Sequence, residues 1–440
     1  MRSGVLLQGW GRSTGSRSAV LGPLTTLALR ELVTGRPAGG VLARGAGCSY
    51  GDAAQNGGGV VLAPATVPEI QVDADAGTVR AAGSARFAQV LARTVPRGLL
   101  LPVLPGTSRL TVGGAVAADV HGKNQRTDGS LAAWLDSIEL LDGTGQVRLL
   151  TPDQEEFRAT VGGMGLTGVV LAATIRLIPI SGTRLRVGSH RAADLDALLT
   201  AMDTAAGRYA VAWIDTTATG RALGRGIVDV GDHLDEPDGA DELKYAPARA
   251  PRAPRLPVGP FTPLTARAFN ELWYRRAPRE RSSVQRLPEF FHRLDAVREW
   301  NRALGPRGFL QYQFAVPDPA VGLIAQALES LRRVGAAPFL GTLKRFGPGS
   351  GCPLSFPLPG WSLAVDMPAG GRRLDAVLDV LDRRVAEAGG RVYLAKDARL
   401  GRTAFEAMYG PLDDWRAARA LLDPDDTMRS DLGRRLGLCR

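Results

Sequence analysis

The residues best suited to chemistry lie at alternating positions of three segments in the second half of the chain. In Phe309-Leu-Gln-Tyr-Gln-Phe314 a two-residue period puts Gln311 and Gln313 on one face. In Thr342-Leu-Lys-Arg345, Lys344 shares a face with Thr342, and in Trp361–Asp366 one face carries Ser362, Ala364 and Asp366. Amides, a hydroxyl and an ammonium on one sheet face suit recognition of sugar hydroxyls; a merely solvated sheet face has the same pattern. Two isolated titratable groups stand out: His121, in His121-Gly-Lys123-Asn124 directly after a glycine-rich segment, and Lys396, in Tyr393-Leu-Ala-Lys-Asp397. Taken alone, the first reads as a structural histidine and the second as an exposed lysine.

Three glycine-rich segments precede these strands: Ala43–Asp52, Leu104–Ala115 and Val161–Gly168. Closely spaced glycines let a backbone pass near a ligand and offer its N–H groups to phosphate oxygens. Three such turns fit a long phosphate-bearing ligand held along its length. Two motif matches fail on context. Gly163-x-Gly165-x-x-Gly168 has dinucleotide spacing, but a helix precedes it and a strand follows, the reverse of a Rossmann turn. Gly47-Cys-Ser-Tyr-Gly51 has nucleophile-elbow spacing, but the run from Asp52 to Gly59 is too glycine-rich to continue as a helix.

The elements that must position these groups follow from period and punctuation. Residues 24–35 read as a helix, and Val41–Ala43 as a strand feeding the first glycine segment. Glu69–Val72 with Thr78–Ala81, and Ser137–Leu141 with Gln146–Leu150, read as hairpins around a helix at Arg86–Val95. Thr151, Pro152 and Gln154 have the chemistry of a helix start, with Gly162-Gly163 as its stop before a strand at Val169–Ile178. After about residue 183, helices (Asp194–Ala205, Asp318–Val334, Arg373–Ala388) alternate with strands, which predicts an antiparallel sheet backed by helices. Three short helices follow: Arg402–Met408, Leu412–Leu422 and Asp431–Leu436. The fold class is α+β. Between 232 and 262 an acidic run, Asp232–Glu242, and a proline- and arginine-rich run predict a mobile, solvated loop.

A chain of 440 residues predicts two domains. The 45% apolar and 22% charged content is that of a soluble globular protein. No apolar run predicts a membrane span, and the N-terminus lacks the pattern of a signal peptide, so cytoplasmic synthesis is expected. The net charge of +10, mostly arginine, suits phosphates and anionic headgroups, although a high-GC genome gives the same bias. Nucleic-acid binding has no supporting motif. Cys48, Cys352 and Cys439 form no disulfide framework, and His121, His190, His233 and His292 are scattered, so no metal site is expected.

Taken together, these segments resemble the FAD-dependent decaprenylphosphoryl-β-D-ribose 2′-oxidases of the vanillyl-alcohol-oxidase superfamily, with its PCMH-type FAD domain. The resemblance runs through Ala43–Asp52 with Gln55–Gly58, Val103–Ala118 with His121–Asn124, and Thr160–Gly168. It continues through Glu271–Tyr274, Glu299–Arg302, Phe309–Phe314, Leu354–Pro357, Pro359–Trp361, Ala395–Asp397, Ser430-Asp431 and Arg434–Leu436. It implies an FAD domain at 1–182, a substrate domain at 183–390 and a return to the FAD domain at 391–440. It implies that Ala43, Arg44, Gly45, Ala46, Gly47, Cys48, Ser49, Tyr50, Gly51, Asp52 and Ala53 form the first cofactor loop. Thr111, Val112, Gly113 and Gly114 would add backbone N–H groups to the pyrophosphate. Gly106, Ala118, Asp119, Val120, His121, Val170 and Tyr393 would line the cofactor. Lys123, Phe291, Gln311, Gln313, Lys344, Ser362, Ala364 and Lys396 would face the substrate, with Lys396 and His121 as the catalytic pair.

The implied reaction oxidises a secondary sugar hydroxyl to a ketone, its hydride passing to the flavin. The implied partners are a polyprenyl-phosphate sugar, a separate NAD(P)H-dependent keto-reductase and a membrane surface, with a peripheral or periplasmic location. Ala364 stands where the family carries a cysteine trapped by nitroaromatic inhibitors, Ser362 replaces an asparagine, and Phe291 a tyrosine. A histidine often bonds the flavin from the position of Cys48 in covalent members of the superfamily; non-covalent FAD is expected here, with a cysteinyl link through Cys48 as the alternative. Competing readings are an aldonolactone or alditol oxidase, a non-catalytic lipid-binding scaffold and a basic nucleic-acid binder.

Overall fold

Alternation and periodicity account for most of the architecture. The computed structural model describes residues 2–65, 67–234, 243–247 and 250–440. A small sheet pairs the hairpin Arg2–Gln8 and Gly15–Leu21 with Val60–Leu62 and Val41–Ala43, the last two joining in parallel. A five-stranded antiparallel sheet follows, in the order Ile70–Asp73, Thr78–Ala82, Gly168–Arg176, Leu135–Asp142, Val147–Leu150. The two predicted hairpins form its two edges. A core of Val33, Val41, Leu62, Leu141, Val169 and Met428 fixes the two sheets and the first helix, Thr26–Thr34, to one another.

The later half is built on an eight-stranded antiparallel sheet. Its order is Glu280–Arg286, Arg184–Ala192, Gly226–His233, Tyr209–Ile214, Leu340–Phe346, Gly360–Pro368, Phe309–Val316, Arg391–Val392. Leu340–Phe346, Gly360–Pro368 and Phe309–Val316 carry Thr342, Lys344, Ser362, Asp366, Gln311 and Gln313 on one face and mostly apolar side chains on the other. Helices Leu323–Arg333 and Arg372–Glu387 cover the apolar face, burying Leu328, Leu331, Leu378 and Leu381. Tyr312, on that face, donates its hydroxyl to Asp382 of the second helix at 3.0 Å. The polar face is thereby left toward the glycine-rich segments.

Three expectations change in detail. The Thr151–Gln154 signal forms a turn, and the helix itself runs Glu155–Thr160. Gln154 does reach back to the Thr151 N–H (2.9 Å), but Thr151 Oγ1 donates to Asp153 instead of capping. The segment 318–334 divides into a short 3-10 turn and the helix Leu323–Arg333. Of the expected loop at 232–262, residues 235–242 and 248–249 lie outside the described residues. Residues 250–262 run as a strap: Ala253 N–H donates to Arg298 O (2.8 Å), Arg252 pairs with Glu299, and Thr262 caps the helix Pro263–Arg276.

Candidate active site

A cavity of about 950 Å³ lies between the glycine-rich segments and the polar face of the eight-stranded sheet. That is the upper end of the range for small-molecule sites. Strand Val41–Ala43 delivers the first glycine loop to it. Among the described residues, the N–H groups of Gly45, Ala46, Gly47, Cys48 and Ser49 have no hydrogen-bond partner. Gly45, Gly47, Cys48 and Ser49 line the cavity. Successive free amides of this kind make an anion-binding concavity. The loop is held from behind. Trp10 and Gly11 N–H donate to Ser49 and Tyr50 carbonyls (2.7 and 3.0 Å), and Tyr50 N–H donates to Ala395 O (2.9 Å). Gly45 has no room for a side chain, since a Cβ would stand 2.2 Å from Thr111 Oγ1.

The second and third glycine segments contribute shape more than donors. Val112 and Gly113 N–H groups bond the carbonyls of Ala85 and Gly83 (both 2.8 Å), and Gly114 N–H bonds Thr111 Oγ1 (3.3 Å). This corrects the expectation that Val112, Gly113 and Gly114 offer amides to a pyrophosphate: those amides are spent in closing a helix start against the turn that follows Thr78–Ala82. In the third segment Gly162 and Met164 N–H groups bond Val116 and Ala117 carbonyls (2.9 and 2.8 Å). Gly106, Gly113, Gly114 and Gly165 leave a Cβ-free lining. Asp295, from the later half, clasps the second segment: it accepts from Thr107 Oγ1 (2.6 Å), Ser108 N–H (2.8 Å) and Ser108 Oγ (2.9 Å).

The roof of the cavity is a register map. Across the strands Gln313 stands opposite Ala364, Ala364 opposite Thr342, and Thr342 opposite Trp213. One step along, Gln311 faces Asp366; one step the other way, Ser362 faces Lys344. Ala364 therefore marks a shallow point ringed by polar groups. Gln313 Nε2 lies 3.3 Å from Ser362 Oγ and 3.3 Å from His121 Nε2. Because an amide nitrogen donates, His121 Nε2 accepts and its proton sits on Nδ1, a buried atom with no partner among the described residues. The ring is fixed by Phe346, Phe356 and Tyr393, 5.0–5.6 Å away. Lys123 donates to Phe290 O at 2.6 Å and lies 3.7 Å from its ring centre.

Electrostatics prepare the site for proton transfer. Burial, with Lys344 and Lys396 nearby, holds His121 well below the usual histidine range, so it is neutral at pH 7. Burial lowers Lys344 to about 8, with Lys396 adding to the effect. Burial likewise lowers Lys396 to about 8, against the opposing pull of Asp366. Asp366 is raised to about 7 by burial, while its bond from Gln311 Nε2 (2.8 Å) opposes the rise. Its other oxygen, Oδ1, is buried without a partner. Lys396 Nζ lies 3.8 Å from the Tyr50 ring centre. Cys48 is pushed up to about 11 by burial and is a neutral thiol at pH 7.

The sequence-predicted site divides cleanly. All eight expected substrate residues line the cavity, as do both expected catalytic groups. So do Ala43, Arg44, Tyr50, Ala53, Ala118, Val120, Val170 and Tyr393. Ala46, Gly51, Asp52, Thr111, Val112 and Asp119 do not line it. Asp52 is held by Arg435 (2.7 and 2.9 Å), and Asp119 accepts from Ser130, Ser350 and Ser355 hydroxyls, so these carboxylates brace the wall from outside. Sequence reasoning placed Asp366 on the right face without giving it a role. It missed Asp295, Arg293 and Trp213, which no local pattern marks, and gave Trp300, inside the Glu299–Arg302 segment, no place in the site.

The donor nest, the Cβ-free lining and the unpartnered His121 Nδ1–H fit a long, phosphate-bearing aromatic cofactor. A family model for an FAD binding domain matches residues 30–151. Together with the site, this defines an FAD-dependent oxidoreductase of the two-domain PCMH-type α+β fold. The chain is 40% identical to the decaprenylphosphoryl-β-D-ribose oxidase of Mycolicibacterium smegmatis, over 98% of this chain and 97% of that protein. It therefore belongs to the decaprenylphosphoryl-β-D-ribose oxidase family. It is also 42% identical to an uncharacterised Streptomyces coelicolor protein (78% of this chain, 97% of that one). An alditol oxidase of Streptomyces sp. is 36% identical, over 41% of this chain and 42% of that one.

Proposed function

We propose that this enzyme oxidises the 2-hydroxyl of a polyprenylphosphoryl-β-D-ribose to the 2-keto sugar. The observation that carries this reading is the polar ring around Ala364, which shares one cavity with the free amides of Gly45–Ser49 and the lowered amine of Lys396. The full-length relative supports the substrate class by its name. FAD, when bound, supplies the two-electron acceptor for the sugar hydride. Gly45–Ser49 would hold its phosphates, and Gly106, Ala118, Val120, Val170 and Tyr393 its flanks.

Lys396, mostly neutral above its lowered pKa, takes the hydroxyl proton; a base poised near working pH is the efficient choice. His121 stays neutral and offers Nδ1–H to a bound oxygen or ring nitrogen. Gln311, Gln313 and Ser362 orient the remaining hydroxyls, and Lys344 places a cation where an anomeric phosphate can be met; burial holds the Lys123 amine well below the usual lysine range, and it serves as a hydrogen-bond donor. The apolar collar of Phe290, Phe291 and Trp213 keeps water from the reacting carbon. Residues 1–182 and 391–440 hold the cofactor, and 183–390 the substrate. The product is a ketone awaiting an NAD(P)H-dependent keto-reductase, which completes an epimerisation to an arabinose donor. No described helix is long and apolar enough to cross a membrane; peripheral access to the prenyl lipid is part of this proposal.

The test is spectroscopic. Purified protein should be yellow, and acid precipitation should leave the colour in the supernatant. Anaerobic addition of a short-chain prenylphosphoryl ribose should bleach the flavin band. Bleaching by a soluble alditol or aldonolactone instead, with none by the prenylphosphoryl sugar, would overturn the proposal.

A further inference from the structure

Exposed apolar side chains on this molecule are concentrated beside the cavity. Sixteen large hydrophobic residues stand exposed among the described residues, and nine of them fall between Leu256 and Val297. Four belong to the helix Pro263–Arg276: Leu264 (77% exposed), Phe269 (41%), Leu272 (52%) and Trp273 (48%). On that helix Ala266 and Asn270 turn inward, while Leu264, Ala268 and Leu272, four apart, share the outward face. Phe269 and Trp273 stand between the two faces, exposed and also lining the cavity. Leu294, on a separate segment, is likewise both exposed (43%) and part of the lining. The apolar surface is thus continuous from the helix exterior into the site.

The helix is firmly seated by its other face. Glu271 pairs with Arg225, whose guanidinium lies 4.3 Å from the Tyr274 ring centre, and Tyr274 donates to Ala192 O at 3.2 Å. The outward leucines are therefore not waiting for a place in the core. Around them Arg267, Arg276, Arg279 and Arg281 are exposed and have no carboxylate partner among the described residues. A helix with leucines and aromatics outward, rimmed by unpaired arginines, has the composition of an element that lies in a lipid interface.

We propose that the outward face of Pro263–Arg276, with the flanking Leu256–Val258 and Leu294–Val297 segments, seats the enzyme on an anionic bilayer. The cavity edge at Phe269 and Trp273 then opens toward hydrocarbon, so an apolar chain reaches the site without crossing water. The identity of that chain rests on the polyprenyl reading above; the docking itself does not. Arginines reach headgroup phosphates while the leucines and Trp273 enter the acyl boundary.

Flotation of the FAD-loaded protein with phosphatidylcholine vesicles containing phosphatidylglycerol tests this. Wild type should float, less so as salt is raised. Leu264→Ser with Leu272→Ser should weaken partitioning about tenfold or more, with the flavin spectrum unchanged as proof of folding. Val147→Ser with Leu149→Ser, exposed on a strand of the five-stranded sheet, should float as wild type does. Failure of wild type to float, equal flotation of the helix variant, or equal loss in the strand variant would each overturn the proposal. So would a wild-type dimer that the helix variant converts to monomer, since the face would then belong to a second copy. Bleaching of wild type by a soluble short-chain substrate, read separately, tells whether the reaction or the docking is at fault.

Discussion

Lys396 has two protonation states within easy reach of an assay, and its neighbours decide which prevails. If the neutral amine is the base, flavin bleaching should accelerate as pH rises through about 8. Lys396→Ala should slow bleaching by about 10²–10⁴-fold while the bound-flavin spectrum persists. Asp366 favours the protonated lysine, so Asp366→Asn should move the pH midpoint downward. A midpoint that stays or rises would remove Asp366 from this role. Ala364 makes a second prediction at the same scale. Nitroaromatics that trap a cysteine at this position meet a methyl group at Ala364, and Cys48, the thiol that does line the cavity, is held neutral by burial, so mass spectrometry should find no adduct. Ala364→Cys places a thiol between Gln313 and Thr342 and should restore one.

Among the elements, the strands of the roof were the most legible. Period-two alternation in Phe309–Val316 and Gly360–Pro368 is enforced because helices bury one face and a ligand cavity needs the other. The helix Pro263–Arg276 was not legible, for a physical reason: its leucines point out and its buried positions are Ala266 and Asn270, so the usual apolar stripe is inverted. The Asp295 clasp was invisible for another reason, since it joins residues 187 and 188 positions apart through a loop without periodicity. Its energetic worth can be measured. Asp295→Ala removes three hydrogen bonds to Thr107 and Ser108 and should weaken FAD binding about tenfold, seen as faster release of flavin fluorescence on dilution. Unchanged release would show that the second glycine segment holds its shape without the clasp.

For the molecule as a whole, the α+β class and the cofactor were readable because three glycine-rich segments in order carry more information than any one. What sequence could not supply was how distant segments brace one another. Arg435 bonds Asp52 at 2.7 and 2.9 Å and Asp397 at 2.8 Å, tying the helix Asp431–Leu436 to the first glycine loop and to the turn that carries Lys396. Arg435→Ala strands two buried carboxylates and should cost about 3–5 kcal/mol in urea unfolding. Adding Asp52→Asn should recover part of the loss. An additive double variant would mean the two residues act independently.

That brace also sets an order of events during synthesis. Gly45–Ser49 leave the ribosome early, but Asp431, which accepts from Ser16 Oγ and Gly57 N–H, and Arg434, which donates to Asn56, are added far later. The bonds that hold Ser16, Asn56 and Gly57 in place form only after translation has passed these residues. Until then the nascent N-terminal half must survive as an unfinished cup, and a fusion partner abutting Arg435 would delay loading even where it leaves the finished enzyme intact.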